Sequence, residues 1–173
     1  GSGPHAPPED ARGAVGDGDD KEPDGPNLHI PDSVTGKDRK DLEQAVALWK
    51  SVYAGLGKVS PKVTQKNLDK AIDDLEDLRK RIKGCALPSH YLGIAYQIRG
   101  FYFDRGALET AVHRLKAATR ILPKFHEALV ELADACGHVG KTRDAEIAYD
   151  KAIEAKPDYA LAYRRRASLL LGE

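Results

Sequence analysis

Beyond Pro88 the sequence restates itself at a fixed interval, and that interval limits the fold more than any other feature of the 173 residues. Gly106 returns as Gly140, Ala111 as Ala145, Leu115 as Tyr149, Ala118 as Ala152 and Pro123 as Pro157, each 34 residues on. Ahead of these, Tyr96, Gly100 and Phe103 return as Leu129, Ala133 and Cys136 at 33, so one residue is missing near the first turn. A third copy opens with Tyr163, Ala167 and Leu170, 34 beyond Leu129, Ala133 and Cys136. With only 16 Gly and 10 Pro in the chain, this many coincidences in phase exceed what composition alone produces. A period of this length marks supersecondary units that stack on their neighbours.

The units are helical. In the segment before the repeats, Leu42, Ala45, Val46, Trp49, Val52, Tyr53 and Leu56 advance by threes and fours, one apolar stripe that Gly57 ends. Ser60-Pro61 offers an N-cap with Pro in the first helical position. Leu68, Ala71, Ile72, Leu75, Leu78 and Ile82 then form a second stripe, which Gly84 closes. Two such helices on a short loop predict an antiparallel hairpin. No stretch alternates with period two for long enough to predict a strand. Within the repeats, small residues at 100, 133 and 167 and at 111, 118, 145 and 152 permit close helix approach. Gly106 and Gly140 fall at turns, where a positive φ costs glycine little. Pro123 and Pro157 stop one helix and start the next.

From about Ser89 onward the chain resembles the tetratricopeptide repeat (TPR) family. One copy carries the family pattern as Leu129, Leu132, Ala133, Cys136, Ala145, Tyr149, Ala152 and Pro157; another carries Tyr96, Arg99, Gly100, Phe103, Ala111, Leu115, Ala118 and Pro123. The resemblance implies an all-α fold, a right-handed α-α superhelix of antiparallel helix pairs, with residues 88–173 forming two full repeats and a terminal helix. Residues 37–87 are expected to be a degenerate repeat or cap. The resemblance further implies a concave face lined by the first helix of each pair. Its slots assign a partner-binding groove to Gln97, Phe101, Arg105, Val130, Glu131, Asp134, His138, Arg164, Arg165 and Ser168, acidic in the middle and basic at the C-terminal end.

Residues 1–36 differ in kind, with 13 Gly or Pro, eight acids and two bases. Such a segment is expected to be an acidic disordered tail of net charge −6 that buries no core, with Asn27 to Pro31 its one apolar, peptide-like stretch. The remaining residues hold 25 bases against 19 acids, so an overall neutral chain of pI 7.2 is an acidic tail on a basic body. The tail is expected to fold back on the basic end, and self-association through the tail or the exposed end is a further expectation. No apolar run approaches the roughly 18 residues a membrane helix needs. Gly1-Ser2-Gly3 reads as an expression scar and the chain as part of a longer protein, leaving its compartment open, with a cytoplasmic one as the expectation.

The chemistry-bearing residues point away from catalysis. His126 and His138 are 12 residues apart on one predicted helix, roughly 18 Å, too far to share a metal. Cys136 and His138 point to different faces, and Cys85 and His90 flank a loop with no base or oxyanion donor beside them. No phosphate loop, H-E-x-x-H or G-x-S-x-G occurs. The expectation is no enzyme, cofactor, metal or small-molecule substrate, and a protein or peptide segment as the partner. One alternative is a co-chaperone-type adaptor for an acidic C-terminal tail, against which Glu131 and Asp134 stand where such a clamp needs Asn or a base. Another is nucleic-acid binding through Arg79-Lys80-Arg81-x-Lys83 and Arg164-Arg165-Arg166, diluted by Asp73, Asp74, Glu76 and Asp77.

Overall fold

A computed structural model describes residues 30–172. Among them seven helices follow in order: α1 Gly36–Gly55, α2 Pro61–Arg81, α3 Leu87–Tyr102, α4 Ala107–Ile121, α5 His126–His138, α6 Thr142–Ala155 and α7 Ala160–Leu171. No strand occurs among the described residues. Each helix packs on the next, and the first helices of the pairs also meet: α1 on α3, α3 on α5 and α5 on α7. The result is an all-α solenoid of antiparallel pairs, a right-handed superhelix.

Side-chain size sets the packing. Leu42, Ala45, Val46, Trp49 and Val52 of α1 meet Leu68, Ala71, Ile72, Leu75 and Leu78 of α2 in the first core. The pairs behind it close through small residues. A Cβ placed on Gly100 would lie 2.5 Å from Leu108 Cδ2, and one on Gly93 only 2.3 Å from Leu115 Cγ, so both let α4 lie directly on α3. Gly140 turns the chain at φ 77°. Gly106 does not: its φ is −60°, and it serves the turn by donating its N–H to Asp104 Oδ1 at 3.0 Å. Pro61 takes the first turn of α2, yet the Ser60 side chain makes no capping bond; the Ser60 carbonyl accepts from Val63 and Thr64 instead.

Two residues ahead of α1 belong to the core. Ile30 and Val34, four residues apart and each 4% exposed, join the first core. Arg39 of α1 ties them there by donating to the carbonyls of Ile30 and Val34, each at 3.1 Å. Residues 1–29, including Asn27 to His29 of the peptide-like stretch, lie outside the described residues. At the other end α7 is covered on one side only: Tyr163 is 48% and Leu170 62% exposed, against 2% for Leu129 and 1% for Cys136 in the same slots.

Candidate partner-binding groove

Because α3, α5 and α7 lie side by side, residues about one period apart come into contact across the face these helices share. Gln97 Nε2 donates to Glu131 Oε2 at 3.0 Å, 34 residues on. Arg165 Nη1 donates to Asp134 Oδ2 at 2.6 Å. The Tyr149 hydroxyl of α6 donates to the other Asp134 oxygen. Phe101 and His138 meet edge to face with ring centroids 4.7 Å apart. From α1, Tyr53 bears electrostatically on Arg165.

The central charges are spent on one another. Burial pushes the Asp134 carboxyl up, while the Arg165 charge and the Tyr149 hydroxyl pull it down. On balance burial prevails at Asp134, while the Arg165 guanidinium beside it keeps its proton and its charge. Burial lowers Arg165, but Asp134 and Glu131 outweigh it and hold that guanidinium above its ordinary value. The Tyr149 hydroxyl is raised, first by burial and then by Asp134, which keeps it a donor.

The ten residues assigned from sequence therefore divide. Val130 is 1% exposed and part of the core, while Gln97 and Asp134 are buried beneath the surface they tie together. Arg165 is held by Asp134. Phe101, Glu131, His138 and Ser168 are half-buried, and Arg105 and Arg164 are exposed. Tyr53 and Tyr149 were missed. Tyr149 carried a signal as the polar-tipped aromatic in the slot of Leu115, but its acceptor lies on another helix and leaves no mark in the local pattern.

Other chemistry-bearing residues are placed just as definitely. Cys85 and Cys136 are buried free thiols, both pushed up by burial. His90 is buried against Tyr91 and Phe125, and burial lowers it to about 3. No cluster of His, Cys and acids able to hold a metal occurs among the described residues, and no described helix is long and apolar enough to cross a membrane. Both basic clusters have acidic neighbours: Arg79 with Glu76, Lys80 with Asp77, Arg81 with Asp38 and Asp41, Arg166 with Asp150.

No protein-family model matches the sequence, and no curated protein matches it. Solved structures do match. The first TPR domain of Spaghetti (RPAP3), solved bound to the HSP90 peptide SRMEEVD, is 15% identical, with 75% of this chain and 93% of that one covered and a TM-score of 0.56. The Arabidopsis OM64 TPR domain is 14% identical over 77% of this chain and 99% of that one, with a TM-score of 0.57. The Sgt2 TPR domain of Aspergillus fumigatus is 21% identical over 75% and 78%, with a TM-score of 0.56. The chain has a TPR-like fold. At such identities the likeness is one of backbone, and the TPR-like pairs here carry their own set of side chains along α3, α5 and α7.

Proposed function

We propose that this chain is a non-catalytic protein-interaction module that seats an extended or helical segment of a partner protein on its concave face. The observation that carries the reading is the pre-tied face itself. Gln97–Glu131, Asp134–Arg165 and Phe101–His138 already bridge adjacent helices, so a ligand meets a surface that pays little to become ordered. Within this reading Phe101, Arg105, Glu131, His138, Arg164 and Ser168 touch the partner, while Gln97, Val130, Asp134 and Arg165 hold the floor. The peptide-bound Spaghetti domain supports the reading by its fold.

Capture of an acidic C-terminal tail is the weaker alternative, because the guanidinium of Arg165 is already neutralised by Asp134 and Glu131 adds a second negative charge. Nucleic-acid binding is weaker still, since the basic clusters pair with Asp and Glu of the same chain.

Selection of displayed random peptides against the full chain tests the proposal. Selected peptides are expected to lose at least tenfold in affinity for Phe101→Ala and Arg164→Glu at unchanged helicity. Peptides that bind both variants as they bind the parent overturn the groove. Titration with SRMEEVD separates the alternative, for which tight, salt-sensitive binding is required and, in this reading, absent.

A further inference from the structure

We propose that a second site, on the outer side of the solenoid between α4 and α6, is docked by the chain's own acidic segment, residues 9–24. This inference stands apart from the concave groove and does not rest on it. The cleft has a volume of about 540 Å³. Leu129 and Leu132 of α5 form its floor and Ile147 of α6, 45% exposed, its apolar wall. Lys116, Arg120 and Lys151 stand around it against one acid, Asp144.

The neighbouring junction shows what is unusual here. Between α2 and α4, Glu76 takes both Arg79 and Arg114, at 3.0 and 2.8 Å, with all three side chains one-third exposed or less. Between α4 and α6, Lys116 reaches Asp144 at 3.3 Å with both side chains more than 40% exposed, and among the described residues Arg120 donates only to the Lys116 carbonyl of its own helix. The cleft keeps a positive excess over an apolar floor, which suits an acidic strand carrying a small apolar side chain.

A segment of that composition lies in the same chain. Residues 1–29 hold seven acids and two bases, net −5, against 25 bases and 20 acids in residues 30–173. Val15 is followed by Asp17, Asp19 and Asp20, an apolar group with three carboxylates within five positions. Fourteen residues lie between Val15 and Ile30, a reach of up to about 50 Å. The alternative cations fit less well: Arg165 is held by the buried Asp134, Arg79 by Glu76, and Arg81 by Asp38 and Asp41 together. Tethering raises the local concentration of the segment to roughly millimolar, so weak contacts suffice. Screening over about 10 Å at 0.1 M salt makes the docking ionic-strength dependent.

Zero-length carbodiimide coupling of the full chain at low salt, followed by peptide mapping, tests the site. Coupling of Lys116 to Asp144 serves as the internal control for the chemistry. The expected products join Lys116 or Lys151 to Asp17, Asp19 or Asp20, in a yield independent of protein concentration. That yield is expected to fall at least fivefold in 0.5 M NaCl and in the Arg120→Glu, Ile147→Ser double variant, which leaves both lysines in place. Coupling spread evenly over remote lysines such as Lys58 and Lys62, a yield unchanged in the double variant, or products that grow with protein concentration would each overturn the proposal, the last by assigning the cleft to a second copy.

Discussion

The first hairpin and the pairs behind it close their cores with side chains of opposite size. In α1 and α2 the fully buried residues include Leu42, Leu68, Leu75 and Leu78, with Trp49 and Tyr91 rings 5.1 Å apart where α1 meets α3. From α4 onward they are largely alanines: Ala111, Ala118, Ala128, Ala133, Ala135, Ala145, Ala152 and Ala162 are all 0% exposed. A leucine core gains its stability from apolar area and is hurt by cavities. An alanine core brings backbones close, buries less area per residue and is hurt by intrusion. Its polar ties then carry a larger share, which is where Asp134, Arg165 and Tyr149 enter.

The sharpest way to break this contrast is to remove the central tie. Asp134→Ala strands Arg165 and Tyr149 and is expected to cost about 3–5 kcal/mol in urea unfolding; a loss under 1 kcal/mol would show that the alanine region does not depend on it. Leu75→Ala in the first hairpin should cost about 3 kcal/mol through the cavity left behind. Ala133→Leu should cost about 2 kcal/mol although it adds apolar area, and a neutral result would mean that α5 and α6 have room to separate.

His90, packed between Tyr91 of the first core and Phe125 of the loop after α4, joins the two regions and gives a pH test. Its folded pKa of about 3 lies below the ordinary 6.5, so the folded state binds fewer protons. The resulting stability is complete above pH 6.5 and is lost progressively as pH falls toward 3. Thermal melts at pH 7.5 and 4.5 should differ through this group by about 2–3 kcal/mol, and His90→Gln should shrink the gap. The smallest effect belongs to the exposed Lys70–Asp74 pair, where Lys70→Ala is expected to stay within about 0.5 kcal/mol.

How far the sequence could be read follows the same division. Positions that act through size at a fixed interval were legible at 100 and 133, where a small residue lies against a neighbouring helix; Ala167 holds the same slot on α7 but is exposed. Positions that act through a partner on another helix were not legible. Leu115 and Tyr149 occupy one slot 34 residues apart, yet Leu115 settles over Gly93 while Tyr149 donates to Asp134. Gly93 gave no signal, since the space it leaves is defined by Leu115. Ile30 and Val34 were hidden among prolines and acids, and only Arg39 shows why they stay with the core. The proposed groove rests on repeat slots alone; which of its side chains are buried and which pair with each other needed coordinates.

The bridge from Arg165 back to Asp134 also bears on how such an array can be altered. Repeats that touch only through interchangeable apolar surfaces can be exchanged, duplicated or replaced by an averaged copy. Here the middle pair is keyed to both neighbours, through Glu131 to Gln97 ahead and through Asp134 to Arg165 behind. Substituting a generic unit for residues 124–157 would leave an orphaned amide on one side and an orphaned cation on the other, so the order of these pairs is written into their polar side chains as well as their shape.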